Sequence, residues 1–263
     1  MKLKIHQVDA FTDTVFKGNY AAVIILEEWL EKELMQEIAA ENNLSETAFA
    51  KKCGNNRYEI RWFSPLSEID FCGHATLATA FVLFKEDNTL EELIFSADAV
   101  GELSICQNSD DEIVMSFPNR KPILVKEIPK EIVNGLSIKP KEVLRNQQAY
   151  YVVLPNEEDI YTIEVDSNEL AKLSPYDVAI TASSSKYDFI SRYFWPSSGG
   201  DEDPVTGSAH TALAPYWAQK LGKNRLVAYQ ASKRGGLLNC EVRQERVVIS
   251  GKAVLYLEGY IYV

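Results

Sequence analysis

The sequence predicts an α/β protein of two related lobes, each a curved mixed β-sheet wrapped around one apolar helix. Three observations predict this class: strand-sized and helix-sized segments alternate, each half contains one helix that is apolar on nearly every face, and the motifs around these helices recur. The 263 residues suit two lobes, because single cores stop growing at about 250–300 residues. The repeat, after about 130 residues, is too long for a solenoid, whose units are about 20–50 residues long.

The first half alternates strands with two helices. Apolar residues recur every four positions along Trp29–Glu41, which predicts an amphipathic helix. His74–Lys85 is apolar on nearly all sides, which is typical of a helix inside a core. The predicted strands are Lys2–Ala10, Ala21–Leu26, Glu46–Lys51, Tyr58–Phe63, Leu93–Ala97, Gly101–Gln107 and Glu112–Phe117.

The second half repeats this order. Asn168–Leu173 is predicted as a short helix and Ala209–Leu221 as a second, largely apolar one. The predicted strands are Asp177–Ala182, Tyr187–Trp195, Gly236–Val242, Arg246–Ser250 and Ala253–Val263. Pro118–Lys141, richer in Pro and Lys, is the predicted connection. We therefore divide the chain into lobes 1–117 and 118–263, with the last strand able to cross back to the first lobe, and we expect a cleft between the lobes.

Sequence motifs around the two apolar helices also match. The pattern Arg-aromatic-Phe-x-Pro occurs at 61–65 and at 192–196, and in each half acidic residues and then a glycine follow. Aligning the glycines at 73 and 207 pairs His74 with Ser208. A second alignment, shifted by two residues, pairs His74 with His210. We prefer the first alignment because glycine can adopt backbone conformations that other residues disfavour, so its position is set by the backbone.

Composition excludes several classes of partner. With 27 Lys+Arg against 38 Asp+Glu the net charge is −11, which argues against nucleic acid and against an anionic membrane surface. No apolar run approaches the ~20 residues of a membrane span, and the N-terminus is not a signal peptide, so we expect a cytoplasmic protein with four reduced cysteines. A small anionic metabolite remains compatible with this charge. The chain contains no P-loop, GxGxxG, GxSxG or HExxH pattern.

The two helix starts are the first candidates for chemistry. Gly73 and His74, and again Gly207, Ser208 and Ala209, place small or polar residues at a helix N-terminus. Free N–H groups and the helix dipole favour an anion there, such as a carboxylate or a developing enolate oxygen. The alternative is that the glycines only permit tight strand-to-helix turns.

Glu46 is the candidate acid–base group. It begins a predicted strand amid the apolar residues Leu44, Ala48 and Phe49, which would desolvate it in part and make it a usable general acid and base. The alternative is a solvated glutamate at a strand end. The corresponding strand of the second lobe, taken as Val178–Thr181, has no acid, so we expect chemistry with one carboxyl group.

Three further residues near the helix starts are candidates. Asp203 precedes a proline in an acidic loop and is interpreted as a hydrogen-bond partner of substrate or of a histidine, or else as part of a solvated loop. His74 is either catalytic or a satisfied core histidine. Cys72 is a candidate thiolate base, its pKa lowered by the helix end, and Thr206 is its counterpart.

At these residues the sequence resembles the PhzF-like isomerases of phenazine biosynthesis. The resemblance spans most of the chain in order, and one departure is Tyr20, where the family usually has proline after Gly-Asn. The residues that carry it are Val8–Thr12, Gly18-Asn19, Ala21–Val23, Asn43–Phe49, Arg61–Pro65, Cys72–Thr76 and Glu202–His210.

This resemblance implies a diaminopimelate-epimerase-like fold of two pseudo-twofold-related lobes, no cofactor or metal, and often a homodimer. It also implies that Glu46 is the proton-shuttling carboxyl group. It places supporting polar roles on His74, Asp203 and Ser208, and substrate binding on Ser45, Gly73, Gly207 and Ala209.

The sequence therefore predicts an isomerase that moves a proton between carbons of a small, carboxylate-bearing metabolite. One alternative is a racemase or epimerase on the same fold, which needs a base on each face of one carbon, and Thr206 is a poor base. The other alternative is a ligand-binding protein that has lost the reaction.

Overall fold

The computed structural model describes residues 1–263 and divides into two compact units. The first contains Met1–Ser116 together with Ser250–Val263, and the second contains Phe117–Ile249. The boundary predicted from the sequence, after residue 117, lies one residue later than the boundary in the structure. The prediction placed the last strand in the second lobe and allowed it to cross back to the first. That strand, Ala253–Tyr262, pairs antiparallel with Lys2–Ala10 along its length, which is why it belongs to the first unit.

The helices and strands alternate along both halves of the chain. The elements up to residue 118 are β1 (Lys2–Ala10), β2 (Asn19–Leu26), α1 (Lys32–Asn42), β3 (Glu46–Gly54), β4 (Arg57–Phe63), β5 (Glu68–Ile69), α2 (Gly73–Glu86), β6 (Glu92–Ala97), β7 (Gly101–Gln107) and β8 (Ile113–Pro118). The following elements are β9 (Ile123–Leu124), α3 (Lys130–Gly135), β10 (Glu142–Arg145), β11 (Ala149–Val153), α4 (Glu157–Thr162), α5 (Ser167–Ala171), β12 (Asp177–Ser183), β13 (Phe189–Phe194), β14 (Glu202–Asp203), α6 (Gly207–Leu221), β15 (Arg225–Gln230), β16 (Gly236–Val242), β17 (Arg246–Gly251) and β18 (Ala253–Tyr262).

The first unit contains a mixed sheet in the order β18-β1-β2-β3-β4-β6-β7-β8. The pairs β2–β3 and β4–β6 are parallel and the other neighbours are antiparallel. The short strand β5 pairs with the end of β4. The parallel pair β2–β3 needs a crossover, which α1 provides.

The second unit repeats this arrangement with the order β9-β10-β11-β12-β13-β15-β16. Here β11–β12 and β13–β15 are the parallel pairs, and β14 pairs with the end of β13 just as β5 pairs with β4. The same sequence of strand directions in the two units confirms the duplication predicted from the motifs.

The arginine of the repeated motif makes the same ion pair in each unit. Arg61 Nε and Nη2 donate to the two carboxylate oxygens of Glu68 at 2.6 and 3.0 Å. Arg192 binds Glu202 through the same atoms at the same distances. Two parallel N–H···O bonds fix the geometry of both partners, so each pair anchors the short strand that leads to the apolar helix.

The apolar helices α2 and α6 each lie in the core of their unit. α2 is buried at nearly every position and packs against β1, β2, β3 and β18. α6 is buried from Ala209 to Ala218 and packs against β15 and β16, and its Trp217 indole donates to the hydroxyl of Thr181 on β12 at 2.9 Å. The predicted α/β class, with mixed sheets around apolar helices, is confirmed.

Two elements differ from the expectation. The helix expected from Trp29 begins at Lys32, because the Trp29 indole donates to Glu59 on β4 at 2.7 Å and holds that residue outside the helix. The expected connection 118–141 contains β9 and α3, because Ile132 packs into the core of the second unit. No helix has the length and apolarity that crossing a membrane requires.

Candidate active site

A carboxyl–imidazole pair lies at the start of α2 in the first unit. Glu46 opens β3, and His74 is the second residue of α2. Glu46 Oε2 lies 2.9 Å from His74 Nε2, and 17% of the Glu46 side chain but only 7% of the His74 side chain is exposed. The carboxyl group is thus largely withdrawn from water and still reachable, as a group that exchanges protons with a small molecule must be.

The local fold explains why these two side chains meet. Ala21 on β2 stands opposite Glu46 in the parallel β2–β3 pair, so the start of β3 lies beside the start of β2. Asn19 is the first residue of β2, and its amide nitrogen lies 3.1 Å from Nδ1 of His74. The hydroxyl of Ser45 donates to the Asn19 carbonyl oxygen at 3.2 Å. Ser45 therefore orients Asn19, and Asn19 orients the imidazole.

Cys72 is a neutral thiol rather than the thiolate base considered from the sequence. Its sulfur is buried and lies 3.3 Å from Nδ1 of His74. Burial, together with the nearby Glu46 charge, raises the pKa of Cys72 to about 11. The thiolate expectation is therefore wrong, because a helix end stabilises a charge by only about 0.3–1 kcal/mol, which desolvation of a fully buried sulfur exceeds.

His74 is the histidine whose surroundings favour its charged form. Burial acts to lower the pKa of His74, but the Cys72 sulfur and the Glu46 carboxylate beside it outweigh burial and hold this pKa well above its usual value. Since the Cys72 thiol is neutral at pH 7, the carboxylate is the partner that acts there. The Glu46 carboxylate faces His74 Nε2 at 2.9 Å as an ion-pair contact, without the alignment of a hydrogen bond.

We expect the three histidines to titrate apart in NMR spectra of the ring nitrogens. The pKa of His74 should be the highest of the three, whereas burial lowers the pKa of His6, and burial lowers the pKa of His210 to about 4. Glu46→Gln removes a neighbouring negative charge and should move the His74 midpoint downward, with the His210 midpoint as the internal control. A His74 midpoint below that of a free histidine in the unmodified protein would contradict this electrostatic description.

Asp203 is held at the start of α6 in the second unit. The Thr206 hydroxyl donates to its carboxylate. Gln230 accepts from the Thr206 N–H at 2.8 Å and donates to the Asp203 carbonyl oxygen at 2.7 Å. One buried glutamine thus ties Asp203 to Thr206, the residue before α6. Asp203 is therefore fixed in position, rather than lying in a solvated acidic loop.

The position equivalent to Glu46 in the second unit is occupied by an acid, which corrects the sequence interpretation. Ala149 on β11 stands opposite Asp177 on β12, as Ala21 stands opposite Glu46. The next residues also correspond, since Val178 pairs with the Phe of the second motif as Thr47 pairs with the Phe of the first. The sequence analysis took the corresponding strand of the second lobe as Val178–Thr181. It therefore began one residue too late and missed Asp177.

The carboxyl group of Asp177 is nevertheless engaged differently. It accepts from the Tyr193 hydroxyl at 2.7 Å and from the Ser197 hydroxyl at 3.3 Å. Burial raises the pKa of Asp177, and these two hydrogen bonds oppose the rise. Aspartate is one methylene shorter than glutamate, and here the Tyr193 hydroxyl covers the carboxyl group. The two units therefore differ because one acid is covered, not because one is missing.

Ser208 is held by a glutamine in the way that His74 is held by an asparagine. Gln148 precedes β11, and its Nε2 lies 2.9 Å from Ser208 Oγ and 2.9 Å from the Tyr193 hydroxyl oxygen. The helices begin at Gly73 and Gly207, which confirms the alignment that pairs His74 with Ser208. His210, the alternative partner, is buried, and one ring nitrogen lies 2.9 Å from the Thr206 carbonyl oxygen.

Both apolar helices begin without a side-chain cap. The residues before them, Cys72 and Thr206, make no capping hydrogen bond to the first turn. Gly73, Gly207 and Ala209 are buried in those first turns and add little or no side chain. First-turn N–H groups without a cap favour an anion, so both helix starts suit the binding of a carboxylate.

The structure places the residues selected from the sequence in two groups. The first unit holds Ser45, Glu46, Gly73 and His74 together, and the second unit holds Asp203, Gly207, Ser208 and Ala209 around the start of α6. Sequence reasoning missed Asn19, Gln148, Tyr193 and Asp177 as supporting groups. The repeated motif contains Tyr193, and the register of β11 against β12 was the signal that would have identified Asp177.

Comparison with known proteins agrees with this fold. Residues 8–259 match the family described as phenazine biosynthesis-like protein, PhzC-PhzF. An uncharacterized isomerase of Pseudomonas aeruginosa is 48% identical over 262 residues, covering 100% of both chains. The mouse phenazine biosynthesis-like domain-containing protein 1 is 38% identical over 285 aligned positions, covering 98% of this chain and 99% of its own.

Solved structures give the same result. The crystal structure of a PhzF-family phenazine biosynthesis protein from Enterococcus faecalis is 44% identical, with a TM-score of 0.95 and 100% of both chains covered. A hydroxyproline epimerase from Agrobacterium vitis shares the fold alone, with 8% identity and a TM-score of 0.61 over 99% of this chain and 92% of its own. The chain therefore belongs to the PhzF (phenazine biosynthesis-like) family.

Proposed function

We propose that this protein is an isomerase that moves a proton between carbons of a small, carboxylate-bearing metabolite by acid–base chemistry alone, with Glu46 as the acid–base group. The observation that carries the proposal is the pairing of Glu46 with His74 at 2.9 Å in largely buried surroundings. A relative with 48% identity carries the name isomerase, which supports the reaction class but not the substrate.

The proposed reaction has two proton transfers. Glu46 takes a proton from one carbon of the substrate, so a C–H bond breaks, an O–H bond forms and the electron pair passes into the unsaturated system of the substrate. Because 17% of its side chain is exposed, Glu46 exchanges part of this proton with water, and it then delivers a proton to another carbon as the electron pair moves to that position. His74 lies 2.9 Å from this carboxyl group and is assigned as the group that holds it in place during both transfers.

Substrate binding is assigned to the groups around the helix starts. The uncapped first turns at Gly73 and Gly207 are suited to a carboxylate or to the charge that develops during the reaction. Ser208 and Asp203 are assigned as further polar contacts of the substrate. Ser45 acts through Asn19 on the orientation of His74.

Incubation of the protein with small-molecule extracts in D₂O tests the proposal. Mass spectrometry should detect deuterium on carbon in one component of the extract, together with an isomer of that component, and neither should appear without protein. The absence of both new deuterium on carbon and a new isomer from every extract would contradict an isomerase and favour a ligand-binding protein.

Chiral chromatography of amino acids in the same incubations distinguishes the proposed isomerase from a racemase. A racemase needs two bases, and the acid of the second unit, Asp177, is covered by the Tyr193 hydroxyl. We therefore expect no racemisation of any amino acid. Racemisation at an enzymatic rate would replace the proposed reaction with that of a two-base racemase or epimerase.

A further inference from the structure

A chain of four side chains in the second unit ends at Ser208. The Tyr193 hydroxyl donates to Asp177 at 2.7 Å, and Gln148 Nε2 lies 2.9 Å from the oxygen atoms of both Tyr193 and Ser208. Asp177 occupies the position that Glu46 occupies in the first unit. The proposed isomerisation assigns no role to Asp177, Tyr193 or Gln148.

The directions of these hydrogen bonds follow from counting protons. Asp177 receives hydrogen bonds from two hydroxyl groups, Tyr193 and Ser197, which an ionised carboxylate accepts. Tyr193 has a single hydroxyl proton, and that proton lies on Asp177, so its oxygen only accepts from Gln148. The group of Gln148 that faces Tyr193 is therefore the amide nitrogen, which carries two protons.

The second amide proton of Gln148 fixes the direction at Ser208. It points at Ser208 Oγ, which accepts it at 2.9 Å. The hydroxyl proton of Ser208 cannot share that line and must point elsewhere. The Gln148 carbonyl oxygen is buried without a hydrogen-bond partner, as expected if it faces away from both hydroxyl groups.

We propose that Asp177, Tyr193 and Gln148 are positioning residues that make Ser208 a hydrogen-bond donor toward its ligand, so that the ligand atom bound by Ser208 is an acceptor oxygen such as that of a carboxylate or an enolate. The inference rests on the proposed function for the role of Ser208 in substrate binding. It adds the chemical class of the ligand atom that the Ser208 proton binds.

The first unit contains a shorter version of the same arrangement. There Ser45 donates to the Asn19 carbonyl oxygen, and the Asn19 amide nitrogen faces His74, the residue aligned with Ser208. In both units a side-chain amide orients the second residue of the apolar helix. Asn19 is the first residue of β2, and Gln148 directly precedes β11. The two amides come from neighbouring rather than equivalent positions of the repeat, since the register of Ala21 with Ala149 places Gln148 at the position equivalent to Tyr20.

Neutron diffraction from crystals of the whole protein grown in D₂O tests the proton directions. We expect the Tyr193 deuteron on Asp177, the two Gln148 amide deuterons on the oxygens of Tyr193 and Ser208, and the Ser208 deuteron away from Gln148. A Ser208 deuteron directed at the Gln148 carbonyl oxygen, the reverse polarity, would overturn the inference. This result does not depend on knowing the substrate.

A double-mutant cycle on the D₂O exchange reaction tests the consequence for function. Ser208→Ala removes one donor and should lower the exchange rate by about 10- to 100-fold, and Tyr193→Phe should lower it by about 3- to 10-fold because the amide of Gln148 is then less constrained. If Tyr193 acts through Ser208, Tyr193→Phe should cause no further loss in the Ser208→Ala background. Tyr150→Phe, another buried tyrosine of this unit, should leave the rate unchanged.

The outcomes separate the two claims. Losses that multiply in the double variant would mean that Tyr193 acts independently of Ser208 and would overturn the positioning role. If the wild-type protein catalyses no exchange, the proposed function fails, while the neutron result still decides the direction of the Ser208 hydroxyl group.

Discussion

Leu77→Ala is expected to lower the free energy of unfolding by about 2–5 kcal/mol. Leu77 lies in α2 and is fully buried, so truncation removes apolar contacts and leaves a cavity in a core that cannot collapse around it. Urea denaturation followed by tryptophan fluorescence measures the change. The effect should be large because α2 packs against four strands of the first unit.

Leu66→Ala is the matched control, because 83% of Leu66 is exposed. The same chemical change should there alter the free energy of unfolding by no more than about 0.5 kcal/mol. Equal effects of the two substitutions would contradict the placement of α2 as the central helix of its unit.

The central helices and their starts could be predicted because the information lies close together in the sequence. His74–Lys85 is apolar on all sides, and a glycine precedes it, so both the burial and the beginning of α2 at Gly73 follow from local pattern. The same argument placed the second helix, which begins at Gly207.

The supporting residues of the site depend on pairings between distant strands. Asp177 corresponds to Glu46 only because β11 and β12 share the register of β2 and β3. The local pattern does not mark the first residue of a strand, and a shift of one residue was enough to miss this acid. Gln148 and Asn19 likewise acquire their roles only when their strands are placed beside the helix starts.

The error at Cys72 has a different physical origin. The sequence shows that Cys72 precedes a helix, which favours a thiolate, but it does not show how deeply the sulfur is buried. In the structure Cys72 is buried, and burial raises the pKa of the thiol to about 11. The balance between a helix end and desolvation is thus decided by packing, which the local sequence does not specify.

Glu46→Gln is expected to lower the exchange rate at least 10²-fold, since general acid–base catalysis typically contributes 10²–10⁴-fold. Glutamine has the same shape and its carbonyl oxygen can still face His74 Nε2, so the local structure should be retained. An amide cannot take up the substrate proton at neutral pH, and the first transfer is therefore lost. Folding of the variant is checked by its urea midpoint.

The most direct test of the account is the deuterium content of extract components after incubation in D₂O with wild type, Glu46→Gln and Glu37→Gln in parallel. Glu37 is exposed on α1, so its substitution repeats the chemical change away from the pair formed by Glu46 and His74. We predict equal deuterium on carbon with wild type and Glu37→Gln, and at least 10²-fold slower incorporation with Glu46→Gln. Incorporation by folded Glu46→Gln at the wild-type rate would contradict the assignment of Glu46 as the group that carries the proton.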